Sequence, residues 1–388
     1  MTSSSDFYTL VIPTYNRAAH LARLLDYLER EKADFPIVVL DSSEAPARAQ
    51  NGERVARSHL AIRRVTYPSD VHPFLKVRDG AKQVGSPYCS ICADDDIVLL
   101  PGLRACVALL DGRREAVAAH GLYFNFHESS FFDLSEVVYR GPSVAAADPL
   151  LRLRALFGRY EAPFYAVYRT AVLADIFERV EEMRTTLGRE LLTAALTAVA
   201  GEILRTTDFY YGRSTAGSFS YDAWHPWQFF TASPQALFDE YRVLRDIVAA
   251  AVPPDAGDAD GTRMRAVIDL VFLGYLEPLL RSDVLQLIFA DRIAGRDSMS
   301  TAAHVWKAFV RRRPRVSLRV SLAGPGRIAR ALARLAAGAI PMDYVVARRA
   351  GGSRRTYRIF EEFLSSKGLG EPVGRGSVLA MLERLDAY

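Results

Sequence analysis

Tyr88-Cys89-Ser90-Ile91-Cys92-Ala93-Asp94-Asp95-Asp96 runs from an apolar strand straight into three carboxylates, and an apolar run containing Pro101 opens the next helix. Adjacent like charges repel, and partial burial behind a strand raises the cost. A divalent cation together with a phosphate would neutralise such a cluster, and an all-oxygen donor set suits Mg²⁺ or Mn²⁺. The competing reading is an acidic turn that caps the following helix. The placement behind a strand decides what kind of sheet to look for.

Working outward, residues 8–13 form a second buried strand, closed by Thr14-Tyr15-Asn16-Arg17. Residues 18–31 alternate Leu, Ala and charge at helical period, 36–40 are a short apolar strand ending at Asp41, and 62–66 and 75–84 continue as strand and helix. Strands alternating with helices at this spacing predict βαβ units and a mostly parallel sheet. In such sheets ligands bind at the carboxyl ends of the strands. Tyr15, Asp41 and Asp94–Asp96 all fall there. Aromatic strands are expected at 120–126 and 164–168, helices at 171–183 and 189–201, and a last strand at 207–211. From Trp224 onward the pattern is helical, as in 234–251 and 263–289, with a Pro- and Asp-rich loop at 253–261.

The chain has 388 residues, half of them apolar, enough for a sizeable core and for two domains. Three cysteines cannot build a disulfide framework, and Cys89 and Cys92, inside one strand with no second pair, read as small core residues. Neither a secretory leader nor a long apolar span is visible, so the expected compartment is the cytoplasm. The net charge of +4 is unevenly spread: residues 305–358 carry 14 Lys and Arg against a single Asp, and the remainder is acidic. That region suits either peripheral contact with anionic lipid at the inner membrane face or packing against the acidic remainder, including a subunit contact. No nucleic-acid motif accompanies it, so nucleic acid is not an expected partner.

Val11-Ile12-Pro13-Thr14-Tyr15-Asn16-Arg17, followed by Cys92-Ala93-Asp94-Asp95-Asp96, resembles the family 2 nucleotide-sugar-dependent glycosyltransferases. Residues 87–96 further resemble a bacterial subgroup acting in surface-polysaccharide synthesis. The resemblance covers roughly residues 7–215. It implies an α/β fold with a GT-A-like nucleotide-binding domain at 1–222, built on a mostly parallel central sheet. A C-terminal helical extension at 223–388 is left for acceptor, oligomer or membrane contacts. The implied activity is metal-dependent transfer of a sugar, inverting in the family pattern, from a nucleoside-diphosphate sugar to a saccharide or lipid-linked saccharide.

Carried over by position, the resemblance implies that Pro13, Tyr15 and Arg17 line the nucleotide pocket and that Asp41 accepts a hydrogen bond from the base. Asp41-Ser42-Ser43-Glu44 departs from the family's usual Asp and Gly run. Arg78-Asp79-Gly80 stands where the family has Arg-Asn-Gly, which gives Arg78 a nucleotide or phosphate role, against a solvated helix face. Asp94 would approach the ribose or sugar, while Asp96, with Asp95, would hold Mg²⁺ or Mn²⁺. Glu190, at the start of a helix after an aromatic strand, is the implied general base; as a helix-start carboxylate it is equally a partner for the dipole. Arg213 would pair with the diphosphate. His225 is a candidate metal or phosphate ligand, and Trp224 and Trp227 are candidate acceptor-stacking rings; a structural histidine and a core tryptophan are the alternatives. Two other functions compete. A sugar-phosphate nucleotidyltransferase would want a Gly-rich loop where Thr14-Tyr15-Asn16-Arg17 stands, and a non-catalytic nucleotide-sugar-binding scaffold would lack a working base.

Overall fold

The computed structural model describes residues 7–128, 132–214, 234–253 and 261–280. The chain divides into two compact units, residues 1–285 with 376–388 and residues 286–375, and every described residue lies in the first. His225, Trp224, Trp227 and the basic segment 305–358 lie outside the described residues.

The strands are β1 (Tyr8–Thr14), β2 (Ile37–Asp41), β3 (Ile62–Thr66), β4 (Tyr88–Ile91), β5 (Ile97–Val98), β6 (Ala116–Glu128), β7 (Phe132–Val138), β8 (Val167–Arg169) and β9 (Glu202–Ser214). They join in one sheet of order β3-β2-β1-β4-β8-β6-β9-β5, with β7 paired to β6. The first four strands are parallel throughout, and β6 and β9 add a long parallel pair; β5, β7 and β8 pair antiparallel. The sheet is therefore parallel over most of its paired length. Leu10, Val11, Ile12, Val39 and Leu40 are buried without alternation, the mark of strands covered on both faces. Pro13 is tolerated because the β1–β4 ladder has already ended at Val11↔Ile91, on the side where an N–H would be missed.

The helices are α1 (Ala18–Arg30), α2 (Ala45–Arg57), α3 (Pro73–Ala81), α4 (Leu100–Asp111), α5 (Pro149–Gly158), α6 (Thr170–Val180) and α7 (Thr186–Ala200), followed by helices Pro234–Ala251 and Thr262–Leu280. α1 buries Leu21, Leu24, Leu25 and Leu28, a stripe at helical spacing. α4 lies so close to β9 that a Cβ on Gly102 would come within 2.2 Å of the Phe209 carbonyl oxygen. α7 is apolar nearly all round and runs through the interior. Its first turn is capped by Thr185 Oγ1, which accepts from Gly188 N, and Glu240 accepts from the Arg184 and Thr185 N–H groups. At its other end the buried Arg152 donates to the carbonyls of Ala198 and Val199.

Two expectations shift. Residues 164–168 are not one strand: Pro163–Tyr165 forms a 3₁₀ turn, started by the fixed φ of Pro163, and only Val167–Arg169 pairs. α2 was not predicted, and the reason is visible in its burial, since Asn51 is its one fully buried residue. Among the described residues, no helix is long and apolar enough to cross a membrane.

Candidate active site

The order β3-β2-β1-β4 places a crevice between the carboxyl ends of β1 and β4, where connections leave in opposite directions. Thr14 closes β1 there, and its hydroxyl donates to Asp94 Oδ2 at 2.7 Å. Arg17 Nη1 reaches Asp95 Oδ2 at 2.5 Å and Asp94 Oδ1 at 3.4 Å, so one guanidinium bridges two of the three carboxylates. Arg23 adds a bond to the Asp95 carbonyl at 3.0 Å. The turn after β1 is held by Asn16, whose left-handed φ of 54° suits that residue type. Its N–H donates to Ser43 Oγ, and its side-chain oxygen accepts from Glu44 N, which staples the β1 and β2 loops together. Tyr15, beside it, is 40% exposed and free to meet a ligand.

Asp96 belongs to a second cluster. β5 pairs with β9 through Ile97↔Gly212, which carries the end of β9 to the triplet. Tyr211 Oη donates to Asp96 Oδ2 at 2.8 Å while accepting from Ala93 N, and Ser214 N donates to Asp96 Oδ1 at 2.7 Å. Donors to both oxygens of Asp96 tie the end of β9 to the triplet. Burial, then the neighbouring Asp95, lifts the Asp94 carboxyl to about 6 and raises Asp96 further, against the pull of Thr14 and Arg17 on one and of Ser214, Arg213 and Tyr211 on the other. The two carboxylates remain short of positive charge.

Glu190 sits on α7, where its Oε1 accepts from Tyr160 Oη at 3.0 Å. Burial raises its pKa, opposed by Arg213 and by the Tyr160 bond. Arg213 stands among Tyr139, Tyr165, Asp96 and Glu190; burial opposes its charge, but these neighbours overcome it and hold the guanidinium protonated. The structure thus brings Thr14, Arg17, Asp94, Asp95, Asp96, Arg213 and Glu190 into one connected site.

Two residues expected there are placed elsewhere. Asp41 is fully buried, accepting from Ser43 N, Asn51 Nδ2 and Arg64 Nε, so its carboxylate is spent inside the protein rather than offered to a base. Arg78 pairs with Asp79 and Glu181, where α3 meets α6. Two residues earlier, on the opposite face of the same helix, Lys76 is 1% exposed, and its Nζ donates to the Thr14 carbonyl at 2.9 Å and to Ser42 Oγ at 2.8 Å. Burial lowers its pKa to about 8, against the pull of Asp94 and Asp41. Sequence reading missed it. The signal was a lysine on the buried stripe of α3, four residues before Gly80, where a Cβ would come 2.7 Å from Leu40.

Among the described residues, no group of three His, Cys, Asp or Glu is spaced to enclose a metal ion. Mg²⁺ and Mn²⁺ commonly take one or two carboxylates and complete their shell with substrate phosphates and water. The under-compensated carboxyl of Asp96, with Asp95 beside it, fits that mode.

No family model and no curated protein matches the chain. Solved structures match by fold. S. aureus TarS 1–349 in complex with UDP-GlcNAc is 14% identical with a TM-score of 0.50, over 79% of this chain and 81% of that one. The longer S. aureus TarS chain is 16% identical with a TM-score of 0.48; this chain spans 44% of its length, using 71% of its own. The mannosyltransferase PcManGT from Pyrobaculum calidifontis, in complex with GDP-Man and Mn²⁺, is 14% identical with a TM-score of 0.44, over 95% of this chain and 89% of that one. The fold is GT-A-like: an α/β domain on a largely parallel sheet, continued by helices. At these identities the likeness is one of architecture.

Proposed function

We propose that the chain is a glycosyltransferase that moves a sugar from a nucleoside-diphosphate donor to a hydroxyl of a saccharide or lipid-linked saccharide, in the synthesis of a surface polysaccharide. One observation carries this reading: the β5–β9 pairing brings Arg213 beside the Asp94–Asp96 triplet at the β1–β4 crevice, and its guanidinium lies within electrostatic reach of both Asp96 and Glu190, a half-buried carboxylate on a different element. Tyr15, Pro13 and Arg17 take the nucleoside side, and Asp94 meets the ribose or sugar. Arg213 holds negative charge as it grows on the leaving diphosphate. Asp96, with Asp95, would hold Mg²⁺ or Mn²⁺, which supplies Lewis-acid stabilisation of the leaving group. Glu190, with its pKa raised, takes the proton of the acceptor hydroxyl from the far side, the placement an inverting transfer requires. TarS 1–349 and PcManGT are bound to UDP-GlcNAc and GDP-Man respectively, which suggests both diphosphates as first probes.

The test is calorimetric titration of UDP, GDP, dTDP and CDP, with and without Mn²⁺, against the wild type, Asp96→Ala and Glu190→Gln. Selective binding lost in Asp96→Ala and retained in Glu190→Gln is expected, with transfer reduced about 10²–10⁴-fold in the latter. Binding without any donor turnover, unchanged by Glu190→Gln, would leave a nucleotide-sugar-binding scaffold.

A further inference from the structure

Two tyrosine pairs flank Arg213. The Tyr139 ring lies on Tyr123 with centroids 3.9 Å apart and planes at 11°, and the Tyr165 ring lies on Tyr211 at 4.8 Å and 17°. In each pair the inner ring, Tyr123 or Tyr211, is fully buried, and the outer one keeps partial exposure. The two inner rings abut at 5.0 Å, so both pairs rest on one base. Tyr139 and Tyr165 are also the first two groups that act on the Arg213 charge, and Tyr139 stands within electrostatic reach of Glu190.

The backbone at Tyr139 is unusual. Its φ is +61°, in the left-handed region that a bulky side chain rarely enters. Asn16 and Lys32, the other non-glycine residues with positive φ among those described, have local reasons: one is an asparagine, and the other follows the end of α1. Tyr139 has neither. It follows β7, and the strained backbone delivers a flat ring to within electrostatic reach of both Glu190 and Arg213. Strain of this kind persists where the surrounding structure over-determines it, as it does at binding sites.

The geometry points to Tyr139 and Tyr165 as the platform of an acceptor-sugar subsite, with Tyr139 the residue that sets acceptor choice. A pyranose ring offers one apolar C–H face to an aromatic ring and a rim of hydroxyls to hydrogen-bonding groups. Outer rings with phenolic edges, next to a carboxylate that accepts and a guanidinium that donates, match both demands. A sugar stacked there would present a hydroxyl to Glu190. The nucleoside end is not the occupant, because Tyr15 and Arg17 take it at the other end of the triplet. The inference rests on the glycosyl-transfer reading and assigns the acceptor side of the same site.

The test uses the full chain and two readouts. Tyr139→Asn keeps a residue that tolerates left-handed backbone, and Tyr139→Phe keeps the ring. Binding of the fluorescently labelled protein to an array of mono- and oligosaccharides is measured with and without UDP or GDP, and nucleotide affinity is measured separately by calorimetry. The wild type is expected to bind a subset of saccharides. Tyr139→Asn should weaken that binding at least tenfold with nucleotide affinity unchanged, and Tyr139→Phe should keep most of it. Wild-type saccharide binding retained in Tyr139→Asn overturns the proposal, as does a wild type that binds nucleotide but no saccharide. So does loss of nucleotide affinity in Tyr139→Asn, since that would place the ring on the donor side. A wild type that binds no nucleotide at all defeats the glycosyl-transfer reading instead, and the nucleotide titration shows that directly.

Discussion

Lys76 illustrates how much one side chain can govern in this fold. Its ammonium ties α3 to the carboxyl ends of β1 and β2, and Thr14, which accepts one of its bonds, donates in turn to Asp94. The cost of that burial has a pH signature. Below about pH 8 the lysine is charged in both states. Between about 8 and its unfolded value near 10.5, the unfolded chain binds more protons than the folded one. Stability contributed through this group therefore rises with pH across that window, by at most about 3 kcal/mol. Over pH 8–10, urea titrations should show the difference in stability between wild type and Lys76→Met growing with pH, because the variant has no such group. A constant difference would mean that Lys76 is not buried as charge in the native state. Lys76→Met is also expected to lower stability at pH 7 by about 1–3 kcal/mol, since it leaves the Thr14 carbonyl without its buried donor.

At the scale of elements, the packing of α4 on β9 positions the site as much as any polar contact does. α4 begins four residues after Asp96, and β9 supplies Tyr211, Arg213 and Ser214. Gly102 permits the two to approach, so Gly102→Ala must push α4 away from Phe209. We expect a loss of about 1–3 kcal/mol in chemical denaturation, with nucleotide affinity falling alongside. Unchanged stability would mean that α4 can shift without cost. The sequence read these elements unevenly. The strand at 62–66 and the helix at 234–251 appear at the expected limits, because apolar period and turn residues agree there. α2 escaped because its inner face is filled by Asn51, with Arg48 reaching to backbone carbonyls, rather than by an apolar stripe. In the site, Asp94–Asp96 were legible because they are adjacent in the chain. Tyr211, Tyr139 and Tyr160 were not, since β9, the end of β7 and the residues after α5 come to Asp96, Arg213 and Glu190 only through tertiary pairing. Asp41 misled for the opposite reason: its position in the strand order is right, but Arg64 and Asn51 claim its carboxylate.

For the whole molecule, the helices Pro234–Ala251 and Thr262–Leu280 are structurally part of the site's support. Phe157 packs against Phe272 at 4.8 Å and Tyr275 at 5.5 Å, and Tyr160, which donates to Glu190, meets Tyr275 at 4.9 Å. Glu240 holds the two N–H groups that precede α7, the helix carrying Glu190. A chain ended at residue 222, the boundary expected from sequence, would expose Phe157 and Tyr160 and leave those donors unpaired. It should bind a hydrophobic dye and lose the cooperative urea transition that the full chain shows. A cooperative, dye-negative 1–222 fragment would show that these helices are dispensable to the fold.

The incomplete neutralisation of the triplet reaches beyond the site itself. Arg17 spans Asp94 and Asp95, and Tyr211 and Ser214 donate to Asp96, yet Asp94 and Asp96 stay short of positive charge. A cation held there would offset part of that burial cost and so would add to the stability of the folded chain as well as to its chemistry. The supply of that ion in a cell would then set how long a finished molecule lasts as well as whether it is at work.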